Sequence, residues 1–155
     1  MLNENINLEG VKIVPLKKIP DERGTIMHGV RKDNILNEFG EVYFKKLYPG
    51  IINGWHVHDT LILNYICIEG VIKIVLYDMR ENSPTYKKFQ EIFIGDDNYV
   101  LVHIPPGIAN ASKAISRTYA IFCNIASQPH NPALKYKRID PHSGEIPYDW
   151  DRKDF

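Results

Sequence analysis

The sequence has no long apolar run and no excess charge of either sign. None of its hydrophobic stretches approaches the ~20 residues of a membrane span. A formal net charge of zero disfavours nucleic acid or an anionic membrane as the main partner. The opening segment MLNENINLEG lacks the basic and apolar regions of a secretory signal. We therefore expect a cytoplasmic protein with no nucleic-acid partner and no membrane partner.

Cysteine is almost absent from the chain. The two cysteines, Cys67 and Cys123, both lie in apolar segments rich in β-forming residues. This placement is typical of buried thiols in a reducing compartment. The length of 155 residues suits one domain with its own core, so we predict a single domain over residues 1–155.

Helical periodicity is scarce as well. Only residues 31–39 (RKDNILNEF) show a weak helical spacing of apolar side chains. Most of the chain has the composition of short strands, rich in Val, Ile, Tyr and Phe and bounded by turn residues. Eight such segments cover residues 10–16, 41–48, 61–69, 71–78, 88–94, 99–105, 118–125 and 133–139. This pattern predicts an all-β fold with two sheets, such as a jelly roll.

Two histidines stand two positions apart in the segment INGWHVHDT. On a strand, residues i and i+2 point to the same face, so His56 and His58 should share one. Two imidazoles on one face are more typical of a functional site than of a core, because each ring carries polar nitrogens that need partners. The pair predicts a metal site or a proton-transfer site close to a strand end.

The metal interpretation needs more donors than the sequence supplies. The HVH spacing resembles a metal-binding cupin, but the acidic ligand position falls on Ile62 or Leu63 and the last ligand position falls on Asn110. His103 is a further imidazole ahead of the later turn. Catalytic metal sites usually take three protein ligands. We therefore predict no metal and no cofactor, and a neutral histidine acting as a general base.

Five further segments occur in an order typical of a known family. They read GVKIVPLKKIPDERG, GIINGWH, YDMRENSPTY, IPPGIAN and IDPHSGEIPYDW. In this order they resemble the dTDP-4-dehydrorhamnose 3,5-epimerases, which are metal-free cupins. The resemblance covers nearly the whole chain and rests on the succession of segments rather than on any one of them.

The resemblance implies a cupin-type jelly roll, a homodimer and a nucleotide-sugar substrate. It implies an isomerase that removes a proton beside the carbonyl of a nucleotide-linked 4-keto-6-deoxy sugar. By position, His56 falls on the catalytic base of the family, and Asp140 falls on the carboxylate that orients it. Arg23 falls on a substrate-binding arginine that reaches towards the site of a neighbouring subunit.

The chain departs from the family pattern at four places. The active-site lysine of the family falls on or near Leu63, and an acid of the following strand falls near Ile74. Asn53 replaces the arginine that precedes the catalytic histidine, and Gln128 or Pro129 replaces the tyrosine that acts as general acid.

An enolate intermediate still needs a hydrogen-bond donor or a cation at its oxygen. Lys73, His58 and Asn110 are the candidates, and Asn53 completes the predicted substrate-binding set.

A second resemblance leads to a related reaction. The segment GWHVHDTLILNYICIEG also resembles the dTDP-sugar 3,4-ketoisomerases, in which a histidine pair and a tyrosine move the proton. His56 and His58 would then act with Tyr43 or Tyr48. The sequence is also compatible with a cupin that binds a sugar nucleotide without catalysis, and with a metal cupin of the oxygenase or isomerase type.

Overall fold

A computed structural model describes residues 6–33 and 35–154. Its strands are β1 Lys12–Pro15, β2 Lys18–Asp21, β3 Gly24–Met27, β4 Glu41–Leu47, β5 Ile52–His58, β6 Leu63–Glu69, β7 Val71–Asp78, β8 Phe89–Gly95, β9 Val100–Ile104, β10 Ile108–Ala114, β11 Ala120–Ala126 and β12 Tyr136–Arg138. Each of the eight predicted segments overlaps one of these strands, and β8 and β11 each extend one residue beyond the predicted end. The described residues include no helix that is long and apolar enough to cross a membrane.

Ten of the strands form two antiparallel five-stranded sheets. Sheet I has the order β1-β9-β6-β11-β4, and sheet II has the order β12-β5-β10-β7-β8. Alternate apolar side chains of both sheets meet in one core, for example Leu63 of β6, Ile74 of β7 and Phe122 of β11. The predicted all-β jelly roll of the cupin type is therefore confirmed.

The outer face of sheet I is covered by the chain between β3 and β4. Ile35 and Leu36 pack there against a cluster that contains Ile66 and Leu101. The weak helical spacing of this segment does not give a helix, because the described residues 31–33 and 35–39 form turns and bends. Its apolar side chains are spaced to cover a sheet rather than to line one side of a helix.

The outer face of sheet II is covered by the segment that follows β12. Trp150 lies 5.4 Å from Trp55 between ring centroids, and Tyr148 meets both indole rings edge-on. We call Trp55, Ile139, Ile146, Tyr148 and Trp150 the tryptophan cluster. It lies directly behind β5, the strand that carries the histidine pair, and so supports that strand from outside.

Strands β2, β3, β5 and β10 are not predicted by composition, and of these only β5 was expected, from the histidine spacing. The first two form a short exposed hairpin. Strand β10 reads IANASKA and has few β-branched residues. Its small side chains Ala109 and Ala111 are buried in the same cluster as Trp55.

Candidate active site

An irregularity in β5 decides which of its side chains face the interior. Across the β5–β10 pair, Asn110 is opposite His56 but Ala111 is opposite Gly54, so β5 has one extra residue at this point. Such a β-bulge shifts the alternation of side chains by one position. Asn53 before the bulge and His56 after it therefore point to the same side, whereas Trp55 points to the tryptophan cluster.

Gly54 is required at this bulge by both space and backbone conformation. Its φ is +142°, a value that side-chain-bearing residues rarely adopt. A Cβ atom there would lie 2.7 Å from the Cα of Ala111 and 2.8 Å from the carbonyl oxygen of Asn110. The close approach of β10 to β5 thus depends on the missing side chain.

The side chains on the inner side of β5 line a cavity of about 370 Å³. It lies between the β4 and β11 end of sheet I and the β5 and β12 end of sheet II, and the loop between β11 and β12 also borders it. Its polar wall includes Glu41, Tyr43, Lys45, Asn53, His56, His58, Tyr65, His130, Tyr136 and Arg138. A cavity with a few convergent polar groups is the usual form of a small-molecule site.

Tyr136 of β12 holds both histidines in place. It is directly opposite His58 in the β12–β5 pair, and its ring stacks on His58 at 5.0 Å and on His56 at 5.6 Å between centroids. Its hydroxyl oxygen lies 2.7 Å from Nδ1 of His56. Nε2 can accept a proton in the tautomer in which Nδ1–H of His56 donates to the hydroxyl oxygen of Tyr136.

The surroundings of His56 favour the neutral imidazole. Burial lowers the pKa of His56 to about 4, and the positive charge of Arg138, the neighbouring His58 and Lys45 act in the same direction. Burial also lowers the pKa of His58, although Asp59 partly opposes it. At neutral pH both imidazoles are therefore uncharged and able to accept a proton.

Two buried amides meet cavity tyrosines from below. Asn110 donates from Nδ2 to the carbonyl oxygen of His56 and accepts at Oδ1 from the hydroxyl of Tyr65. Asn124 accepts at Oδ1 from the backbone N–H of Asn64 and donates from Nδ2 to the hydroxyl of Tyr43. Both amides are almost fully buried, so their hydrogen-bond partners fix their orientation.

Three of the predicted site residues meet in this cavity, namely Asn53, His56 and His58. Asn110 lies beneath it, bonded to β5 and to Tyr65. Of the two tyrosines considered for a ketoisomerase, Tyr43 lines the cavity, whereas Tyr48 follows the far end of β4 and is 65% exposed.

The other predicted residues lie outside the cavity lining. The carboxylate of Asp140 accepts from the backbone N–H of His142, in an exposed turn after β12. Arg23 is in the turn of the β2–β3 hairpin, where Asp21 binds its guanidinium. Lys73 is on the outer face of sheet II, 3.2 Å from a carboxylate oxygen of Glu91.

Some departures from the family pattern lie in the core between the sheets, and others lie at the cavity. Leu63 and Ile74 are buried in the core between the sheets. Pro129 borders the cavity, beside His130. The first two positions therefore contribute to packing here, and the third belongs to the cavity wall.

The described residues contain no group of three or more His, Cys, Asp or Glu side chains placed to hold a metal ion. His103 lies on β9, where its Nδ1 is 2.8 Å from Oδ1 of Asn64, and it is not part of the cavity lining. The third imidazole of the metal interpretation is thus separate from the histidine pair.

Sequence reasoning missed Tyr136, Arg138 and Lys45 as cavity residues. The segment ALKYKRI is predicted as a strand, and period-two alternation does place Tyr136 and Arg138 on one face. Alternation within one segment does not predict which other strand will pair with it. The pairing of β12 with β5 brings these side chains to the histidines.

The fold and the site together define a cupin whose interior holds a histidine pair, a stacked tyrosine and two cations. A family model described as dTDP-4-dehydrorhamnose 3,5-epimerase matches residues 5–154. The chain belongs to this family.

Relatives of known name agree with this assignment. The spore coat polysaccharide biosynthesis protein SpsL of Bacillus subtilis is 32% identical over 145 residues, covering 92% of this chain and 96% of that protein. The probable low-salt glycan biosynthesis epimerase Agl13 of Haloferax volcanii is 31% identical over 146 residues, covering 92% and 90%. The crystal structure of a dTDP sugar isomerase from Desulfovibrio desulfuricans G20 has a TM-score of 0.88 and 32% identity, covering 92% of both chains.

Proposed function

We propose that this protein epimerises a nucleotide-linked 4-keto-6-deoxy sugar, with His56 as the base. The observation that carries the proposal is the bond between His56 Nδ1 and Tyr136 Oη, because it orients a neutral imidazole on a cavity wall. The proposal takes the tautomer in which Nδ1–H donates to the phenol oxygen, so that Nε2 carries the free lone pair. A general base must be oriented by a second group and must be unprotonated at the working pH. His56 meets both conditions.

The reaction begins at the acidic C–H bond beside the 4-keto group. Nε2 of His56 takes this proton, the electron pair of the C–H bond moves into a C=C bond, and the carbonyl becomes an enolate. His58 and Asn53 line the same cavity and supply N–H donors for the enolate oxygen. Return of a proton to the other face of the carbon inverts the centre.

The cations of the cavity suit an anionic substrate. Lys45 and Arg138 both border the cavity. Their positive charges act on His56, because both lower its pKa. A nucleotide diphosphate would offset this charge when it binds. We propose that the diphosphate lies between these side chains, with the sugar directed towards β5.

The relatives support a role in polysaccharide or glycan synthesis. One is named for spore coat polysaccharide biosynthesis and another for low-salt glycan biosynthesis. We propose that this chain likewise prepares an activated sugar for incorporation into a polysaccharide, in the cytoplasm and without a metal or other cofactor.

A 3,4-ketoisomerase is the second candidate, and one observation favours it. Both histidines and Tyr43 border the same cavity, as that reaction would require. The two reactions share the first proton abstraction and differ in where the carbonyl finally lies.

Incubation with dTDP-4-keto-6-deoxy sugars in deuterated water, followed by NMR, tests the proposal. We expect deuterium at C3, or at C3 and C5, in a product with the carbonyl still at C4 and at least one centre inverted. A carbonyl at C3 would indicate the ketoisomerase. Binding of the sugar nucleotide without any exchange would contradict both reactions and would indicate a binding protein.

A further inference from the structure

We infer that Tyr43 is the proton donor that completes the inversion, acting from the sheet opposite the base. The inference rests on the proposed epimerase function and names a group that the family pattern leaves unassigned, since Gln128 or Pro129 replaces the usual tyrosine. Three tyrosines, Tyr43, Tyr65 and Tyr136, border the cavity. Their hydrogen bonds differ in a way that separates their roles.

The hydroxyl of Tyr43 is an acceptor in its bond to the protein. The backbone N–H of Asn64 lies 3.2 Å from Oδ1 of Asn124, and a backbone N–H can only donate. The other end of this amide must therefore be its NH₂ group, which lies 3.0 Å from the hydroxyl oxygen of Tyr43. Since an amide NH₂ only donates, the hydrogen of the Tyr43 hydroxyl is left available to a molecule in the cavity.

The hydroxyl of Tyr65 has the opposite role. Asn110 donates from Nδ2 to the carbonyl oxygen of His56 at 3.1 Å, so its Oδ1 faces Tyr65. The hydroxyl of Tyr65, 3.0 Å away, must donate to this oxygen. The hydroxyl hydrogen of Tyr65 is therefore used in this bond to Asn110, and the tyrosine itself is only 5% exposed.

Tyr136 is placed on the wrong side for inversion. It belongs to β12 and stacks on His56 of the adjacent strand β5, so base and tyrosine share one wall of the cavity. A proton returned from that wall would restore the original configuration. Tyr43 lies on β4 in sheet I, whereas His56 lies on β5 in sheet II. A sugar ring between the sheets presents one face to each.

The step balances without any further reactant. The enolate carbon takes the hydrogen of the Tyr43 hydroxyl, its electron pair forms the new C–H bond, and the carbonyl is restored. The reaction leaves a phenolate at Tyr43 and an imidazolium at His56. The side chain of Tyr43 is reachable by water, being 46% exposed, so the phenolate regains a proton from solvent as the imidazolium loses one.

The test is Tyr43→Phe, assayed with dTDP-4-keto-6-deoxy sugar in deuterated water. We expect deuterium to enter the substrate with its configuration retained, because His56 still removes the proton and returns a deuteron to the same face. Inversion should fall by ~10²–10⁴-fold, the usual effect of losing a general acid. The ratio of inversion to exchange is the readout, and it does not depend on how well the variant folds.

Tyr119→Phe serves as the matched control. Tyr119 precedes β11 at the far end of the β4–β11 pair, is outside the cavity lining and should leave both rates unchanged. If Tyr43→Phe inverts and exchanges as the parent does, or loses both in equal proportion, the assignment of Tyr43 is wrong while the epimerase function stands. If the parent protein shows neither exchange nor inversion, the function fails and this inference fails with it.

Discussion

At the scale of single residues, the surroundings of His56 set the strength of the proposed base. A carboxylate beside an imidazole stabilises the charged ring and raises its pKa, whereas the phenol of Tyr136 orients the ring without supplying charge. Burial and, to a smaller extent, the nearby cations therefore lower the pKa of His56 to about 4. Such a base is weak, but at neutral pH nearly every molecule carries it in the reactive form.

The pH dependence of the reaction rate should reflect the low pKa of His56. We expect kcat/KM to stay level through neutral pH and to fall only as the pH drops towards about 4, where His56 becomes protonated. Arg138→Gln removes a cation that opposes protonation, so the acid limb should move to higher pH. Lys137→Gln is the control, since Lys137 pairs with Glu145 and is not part of the cavity lining. An acid limb near the ordinary histidine pKa of ~6.5 in the parent would argue against this environment for the base.

The two candidate partners of His56 can be separated by mutation. His56→Ala should lower exchange by ~10²–10⁴-fold, as expected for a lost general base. Tyr136→Phe removes the hydrogen bond that orients the imidazole and should lower exchange in the same direction, by about tenfold or more. If Asp140→Asn has the larger effect instead, the carboxylate of the turn reaches the imidazole during catalysis and the role assigned to Tyr136 is wrong.

Some of these site residues could be predicted from the sequence, and others could not, because their placement depends on contacts between distant parts of the chain. The shared face of His56 and His58 follows from the geometry of a single strand, so it was predictable. The contact with Tyr136 depends on strand pairing across about half the chain, and the orientation of Asn124 depends on a backbone donor in a third strand. Neither contact can be predicted from the residues next to it in the sequence.

At the scale of elements, the bulge in β5 is the feature that assembles the site. Without the extra residue, strict alternation would place Asn53 and His56 on opposite faces of the sheet. The bulge in turn requires Gly54, because β10 leaves no room for a side chain. The position of His56 thus depends on a residue that carries no functional group.

Gly54→Ala should reduce both stability and activity. Gly24→Ala is a matched control, because Gly24 has a similar φ of +146° but nothing lies within 4 Å of the added methyl group. Both variants bear the backbone strain, and only the first bears the clash. We expect Gly54→Ala to lower the free energy of unfolding by about 1–3 kcal/mol more than the control, as measured by chemical denaturation. An equal loss of unfolding free energy in the two variants would show that β5 and β10 can move apart to accommodate the methyl group at no energetic cost.

At the scale of the whole molecule, the fold followed from composition and spacing, because alternating short strands leave few architectures for a chain of this length. The outer surface was less predictable. It exposes Ile26 on the β2–β3 hairpin at 62% and Phe44 on β4 at 64%. Exposed apolar side chains near a strand edge suit burial against another chain.

We expect a homodimer in which the β2–β3 hairpin reaches the neighbouring chain. Ile26→Glu places a charge on that hairpin and should shift the protein towards monomer in sedimentation at micromolar concentration. Ile115→Glu changes an exposed isoleucine in the loop after β10, outside that hairpin, and should leave the dimer intact. A monomeric parent would contradict the dimer and remove Arg23 from the predicted site.

The tryptophan cluster gives the protein a fluorescent reporter of one particular region. The chain has two tryptophans, and both are buried together behind β5, on the side away from the cavity. Tryptophan emission should therefore be blue-shifted and poorly quenched by acrylamide. Ligands in the cavity should change it little, whereas detachment of the segment after β12 should shift it to the red. Tryptophan fluorescence thus reports whether the segment after β12 is packed behind β5, and not whether the cavity is occupied.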